Sequence, residues 1–272
     1  MTAFPKLDLA VWEATRDTIH IYTRLIGKIR QDLAEPLEKW WHVSVHVNEH
    51  GLSIPPLPLP TGGNFTLSVD LNRHVLAVHV SSGNEHTISL QNNSPNAMMK
   101  AVLDHLKTVG IEPNIDQSIF ASTDIGVYDP GQADTYLTAL RSVHHVFQSF
   151  KASLSGKTGP VQLWPHHFDL SLEWFSGREA DVPAGEEGGD EQIGFGFSTG
   201  DEGIAEAYFY ANPWPFPQKV TNAELPNGAS WYTDSWQGGL LLYNTLAEAD
   251  NPEAVLLAYL EAVQQHSASL MK

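Results

Sequence analysis

This 272-residue chain holds 13 histidines and no cysteine, so imidazole and carboxylate are its main reactive groups. The densest cluster is Pro165-His166-His167-Phe168-Asp169, and Trp41-His42-Val43-Ser44-Val45-His46 offers a second. Imidazole and carboxylate ligands suit zinc, iron, manganese, nickel or copper, and a centre with an open position activates water. On a strand, residues two apart share a face, which groups His42 with His46 and His167 with Asp169. Should those faces meet, His42, His46, His166, His167 and Asp169 form a candidate site for a divalent metal ion. No compact ligand motif such as H-E-x-x-H accompanies them. The plainer reading is histidines that hydrogen-bond within a sheet or face water.

A second set lies on a helix. His20, Arg24 and Lys28 recur every four residues and so share one face. Cations beside an imidazole lower its pKa, which suits anion binding or a general base. His144 and Gln148 echo the same spacing further along. The plainer reading is a solvated polar face. Trp41 and Trp164, with other tryptophans, could line an apolar pocket, although such rings more often fill a core. Arg178 follows Phe175-Ser176-Gly177 and could clamp a carboxylate or phosphate with paired hydrogen bonds, or simply bridge to neighbouring acids. The candidate ligand-binding residues are therefore His20, Lys28, Trp41, His42, His144, Trp164 and Arg178.

Other patterns carry less. The acidic stretch from Glu186 to Glu191, with Asp201 and Glu202, lacks the spacing of a calcium loop. Ser155-Gly156-Lys157-Thr158 lacks the first glycine of a phosphate loop and stands between a helix and a strand in the wrong order. Neither a Gly-x-Ser-x-Gly elbow nor a dinucleotide fingerprint is present.

These residues need elements to position them. Ile19, Tyr22, Ile26, Ile29 and Leu33 predict a helix from about Val11 to Ala34, stopped by Pro36. The alternating Val43, Val45 and Val47 predict a strand over Trp41–Asn48. The proline-rich stretch Leu52–Pro60 reads as an extended edge. Strands at Phe65–Leu71, His74–Val80 and His86–Leu90 then form a meander. Ser94-Pro95 opens a helix that runs to about Val109. The second half repeats the order. A helix spans Ala133–Leu154, strands span Trp164–Phe175, Ile193–Phe197, Ala205–Ala211 and Gly239–Tyr243, and a closing helix begins after Asn251-Pro252. Gly177–Gln192 reads as a mobile loop, and the three prolines of 212–217 predict irregular backbone there.

An offset of 124 residues aligns His20 with His144, Pro36 with Pro160, Trp40 with Trp164 and His42 with His166. Such rare types coinciding without a gap point to duplication. The expected fold is α+β, with antiparallel sheets flanked by helices in two pseudo-twofold helix–sheet–helix repeats, residues 1–118 and 119–272.

Several motifs together resemble a bacterial family of unknown function, DUF5996. They are Thr18-Ile19-His20, Gly27-Lys28, Trp40-Trp41-His42-Val43, Phe168-Asp169-Leu170, Phe175-Ser176-Gly177-Arg178, Gly196-Phe197 and Ala207-Tyr208-Phe209-Tyr210-Ala211. The resemblance runs from about Trp12 to Leu270 and implies one evolutionary unit without implying an activity. It also implies a basic residue where this chain has Trp174.

Composition narrows the partners. The formal net charge is −17, and Ser171–Lys272 holds only three of the basic residues, Arg178, Lys219 and Lys272. No basic stripe exists to neutralise phosphates along a strand of nucleic acid or an anionic membrane. The first 20 residues carry Lys6, Asp8, Glu13, Arg16 and Asp17, unlike the apolar core of a signal peptide, so a cytoplasmic location is expected. Three functions stay open. The first is a small-molecule-binding protein with a pocket between sheet and helices lined by Trp and His. The second is a metal-assisted or His-dependent enzyme, and the third is an interaction module using the acidic carboxy-terminal half.

Overall fold

The computed structural model describes residues 3–181 and 188–271. Five α-helices are present among them: α1 Leu9–Leu33, α2 Pro95–Thr108, α3 Pro130–Ser153, α4 Asn244–Ala247 and α5 Pro252–Leu270. The first six strands are β1 His46–Asn48, β2 Gly51–Ser53, β3 Leu57–Pro58, β4 Asn64–Asp70, β5 Val75–Val80 and β6 Glu85–Ser89. The others are β7 Lys157–Thr158, β8 Gln162–Trp164, β9 Asp169–Glu179, β10 Asp190–Ser198, β11 Tyr208–Trp214, β12 Ser230–Tyr232 and β13 Gly238–Leu242. Every strand pairing is antiparallel, and the fold class is α+β.

Contacts gather the residues into two compact units. The amino-terminal unit holds residues 10–141 and 162–168, and the carboxy-terminal unit holds 1–9, 142–161 and 169–272. This division is by contact and does not bear on the repeats expected at 1–118 and 119–272.

In the amino-terminal unit, β1-β2-β4-β5-β6 lie side by side with β3 on β4. Phe65, Leu67 and Val69 of β4 are buried on one face, as the alternation requires, while Thr66 and Ser68 face the other way. Ile19, Tyr22, Ile26 and Ile29 of α1 and Met98, Val102 and Leu106 of α2 are likewise buried, while Leu33 at the end of the stripe is half-buried. Ser94 caps α2 by accepting from the Ala97 amide at 3.1 Å.

The expected strand Trp41–Asn48 is mostly something else. Glu38–Val43 forms a 3₁₀ turn, with Lys39 and Trp40 at φ 54° and 60°, and only His46–Asn48 is a strand. The cause is local: the Leu37 amide donates to His42 Nδ1 at 3.1 Å, which bends the chain where the valines alone predict extension. The expected strand Trp164–Phe175 is also broken. Pro165–Phe168 is a turn closed by the Phe168 amide on the Trp164 carbonyl at 2.8 Å, and β9 starts at Asp169.

In the carboxy-terminal unit, β12-β13-β11-β10-β9-β7 form the sheet. Phe150 meets Phe195 edge to face with ring centres 5.0 Å apart. Tyr259 of α5 donates to the Gly239 carbonyl at 2.7 Å, and a Cβ at Gly239 would lie 2.8 Å from Val263 Cγ2. Asn212, Pro213 and Trp214, expected to be irregular, continue β11 opposite Gly194, Ile193 and Gln192. Beyond Ala211, β13 no longer accompanies β11, so Pro213 sits where its missing donor is tolerated. The expected loop 177–192 is shortened at both ends by β9 and β10, and residues 182–187 lie outside the described residues.

Candidate functional site

The amino-terminal unit brings the helix set and the turn histidines His166 and His167 together. His20, Arg24 and Lys28 line one face of α1, and the Pro165–Phe168 turn lies against it. Gly27 permits that approach, since a Cβ there would fall 2.5 Å from Pro165 Cγ. His20 Nε2 is 2.9 Å from the Pro165 carbonyl oxygen. A carbonyl only accepts, so Nε2 carries the proton and a neutral His20 keeps its lone pair on Nδ1.

An aromatic column fixes the turn. The His20 ring stacks on Phe168 at 5.0 Å, Phe168 packs on Tyr136 at 5.5 Å, and Tyr136 stacks on Trp12 at 4.9 Å. Phe168 has φ 61°, a left-handed conformation costly for a side chain of its kind. Its burial in the column offsets that strain.

The charges are arranged consistently. Burial pushes the His20 pKa down, the bond to Pro165 opposes this, and the Arg24 cation adds to the lowering. His166 is lowered by partial desolvation, then by His167, Lys28 and Arg24. The rings of His166 and His167 are 4.4 Å apart, and Trp164 meets His166 edge to face at 5.8 Å. Both histidines are exposed. Lys28 Nζ donates to Gln31 Oε1 at 3.0 Å, and Arg24 keeps a buried Nε without a hydrogen-bond partner among the described residues. Two cations and two histidines biased toward neutrality thus share one surface.

The segments that carry His42 and His166 do lie side by side in this unit. Val45 and Leu163 exchange both backbone hydrogen bonds at 2.8 Å, and Ser44 Oγ lies 2.6 Å from Gln162 Oε1. Arg30 donates to the Ser44 carbonyl, and burial pushes its pKa down to about 10. The side chains are not grouped as a metal site would need. His42 is buried, stacks on Trp40 at 5.5 Å and has Nδ1 occupied by Leu37, whereas His46 is exposed at the start of β1. His42 and His46 therefore share no strand face. His166 and His167 stand in the turn, and Asp169 opens β9 in the other unit, where it accepts from Tyr210 Oη. Among the described residues no three His, Asp or Glu side chains are grouped to hold a metal ion.

The remaining candidates separate. Trp41 is half-buried beside His42. His144 lies on α3 in the carboxy-terminal unit, 3.2 Å from Gln148 Nε2. Arg178 pairs with the buried Glu191 at 2.5 Å and with the Met271 carbonyl at 3.1 Å, so its fork already holds an internal acid. Asp201, part of the acidic set, accepts from Tyr208 and from the Gly203 and Ile204 amides, while Glu186 lies outside the described residues.

Three contributors to the site escaped sequence reasoning: the Pro165 carbonyl, the Phe168 ring and the Tyr136–Trp12 stack. Only Gly27, small and mid-helix, hinted that something approaches α1 closely. No helix among the described residues is long and apolar enough to cross a membrane. No curated protein and no solved structure matches the chain. Residues 4–272 match the family of unknown function DUF5996, and the chain belongs to that family.

Proposed function

We propose that the chain binds a small anionic molecule, a carboxylate or phosphate ester, on the α1 face formed by His20, Arg24 and Lys28 beside His166 and His167. The reading rests on the His20–Pro165 contact at 2.9 Å, which sets the turn histidines against the cationic helix face. It is supported by the unpartnered Arg24 Nε and by the lowered pKa values of His20 and His166, which burial sets first and the Arg24 cation deepens in both. An anion placed there relieves the mutual repulsion and restores basicity to both imidazoles.

The test is a titration of the protein with inorganic phosphate and with malonate, following the His20 and His166 ring resonances by NMR. Saturable shifts accompanied by raised histidine pKa values are expected, with binding weakened about tenfold or more by Arg24→Gln, the loss of one charge-assisted contact. Unmoved resonances, or equal affinity in the Arg24→Gln and Lys28→Gln variants, would remove the proposal.

One observation favours a second reading. A neutral His20 with its lone pair on Nδ1 is poised to accept a proton, as a general base does. Turnover of a bound carboxylate or phosphate ester that is lost in His20→Gln, with binding retained, would select this reading over binding alone.

A further inference from the structure

Sequence patterns drew attention to the histidines, yet the amino-terminal unit also carries an open cleft of about 730 Å³ on its sheet. That volume lies inside the range of about 300–1,000 Å³ typical of small-molecule sites. The cleft contains none of the residues of the anion site.

Its floor is built from short hydroxyl side chains. Ser53 of β2 stands opposite Ser68 of β4, while Thr66 of β4 stands opposite His79 of β5, which faces Glu85 of β6. A solvated sheet face is ordinarily covered by long side chains, and short ones here leave space over the strands. Asn48 reaches in from β1, its Nδ2 donating to Ser53 Oγ at 3.0 Å.

The charged rim residues pair with one another. Arg73, in the turn after β4, donates to Asp70 Oδ2 at 2.7 Å and to both oxygens of Glu85 at 2.7 and 3.1 Å. His79 Nε2 stands 3.3 Å from Glu85. One guanidinium thus bridges two carboxylates, so the rim's only arginine is already paired with acids of the same unit. No Trp, Tyr or Phe is among the residues that line the cleft; Ile54 and Pro56 give it an apolar side, and Asn48, Asn72, Ser53, Thr66 and Ser68 give it hydrogen-bonding groups. Hydroxyl and amide groups both donate and accept, and the complementary ligand group is one that also does both, which is another hydroxyl.

We propose that this cleft binds a small uncharged polyhydroxylated molecule, of the monosaccharide or cyclic-polyol kind, through Asn48, Ser53, Thr66, Ser68 and His79. Ligand hydroxyls hydrogen-bond to the floor side chains while the Asp70–Arg73–Glu85 bridge holds the rim.

The experiment is amide NMR of the full chain titrated separately with glucose, ribose and myo-inositol at millimolar concentration, with inorganic phosphate and putrescine as ionic comparators. Saturable shifts are expected at Ser53, Thr66, Ser68 and His79 with at least one polyol and with neither ion. Ser68→Leu fills the floor and should weaken that polyol at least tenfold with the thermal midpoint kept. Where Ser68→Leu lowers the thermal midpoint, Ser53→Leu and the wild-type shift map decide instead. The proposal is overturned if no polyol saturates, if the shifts fall elsewhere, if filling the floor leaves affinity unchanged, or if phosphate or putrescine occupies the cleft in preference. Phosphate shifts at His20 and His166 report on the α1 face alone, so the two proposals fail separately.

Discussion

The imidazole of His20 on α1 and the backbone carbonyl of Pro165 meet at 2.9 Å across 145 residues of sequence. The contact orders the helix face, the turn and the protonation state of a histidine at once. Replacing His20 by Phe should keep the stack on Phe168 and forfeit only the hydrogen bond, at a cost of about 1 kcal/mol. His20→Ala should lose both and cost about 2–3 kcal/mol. Urea denaturation of the three proteins separates the contributions, and equal stability of Phe and wild type would show the bond to be without net value.

Gly27 provides a steric test of the same docking. Gly27→Ala places a methyl group 2.5 Å from Pro165 Cγ, and the overpacking should cost about 1–3 kcal/mol despite the better helix propensity of alanine. Gly194→Ala meets nothing within 4 Å and should stay within about 0.5 kcal/mol of wild type. Thermal unfolding of both variants checks the contrast.

Protonation should act on stability in a definite direction. The folded protein holds His20 and His166 below their ordinary 6.5, so the unfolded chain binds more protons in that range. Stability should be full above pH 6.5 and decline as the pH falls from there toward the lowered folded values. The window lies above the titration of ordinary carboxylates, at about pH 4, and so can be read separately. A thermal midpoint that stays flat from neutrality down to about pH 5 would contradict the assignment. His20→Phe should flatten part of the decline.

Arg30 joins the two segments beneath the site. Its guanidinium donates to the Ser44 carbonyl and lies 3.2 Å from Ser44 Oγ, while Ser44 contacts Gln162. Arg30→Met keeps much of the apolar volume yet strands these acceptors, and a loss of about 1–3 kcal/mol follows. Hydrogen exchange should show the Val45 and Leu163 amides losing protection together, since they form one bridge. Protection lost at Val45 alone would break that link.

The elements were legible where side-chain periodicity and caps agree. The stripe of α1, the alternation of β4 and the Ser94-Pro95 start of α2 all have local causes, and the α+β class follows from them. The failures have causes that side-chain periodicity does not carry. The valines around Val45 read as a longer strand because nothing in their order reveals that Leu37 will bond to His42. Pro213 was legible only as a ladder breaker, because its fitness for β11 depends on where β13 stops. The histidine faces were misjudged for one reason: both expected strands break into turns, and a turn cancels the two-residue alternation on which the metal grouping depended. The helix face of His20, Arg24 and Lys28 was visible from spacing, whereas its covering turn was not.

The late arrival of that covering turn bears on synthesis. A ribosome releases α1 and the whole six-stranded sheet long before residues 162–168 emerge. Until then the groove beside Gly27 is open, and the amino-terminal unit lacks the strand that pairs with Val45. The nascent polypeptide must therefore wait, incompletely closed, while the codons between Ser89, the end of the sheet, and Gln162 are read. Slow or interrupted translation downstream of α1 is thus the condition under which this unit is most open to chaperones or to wrong partners.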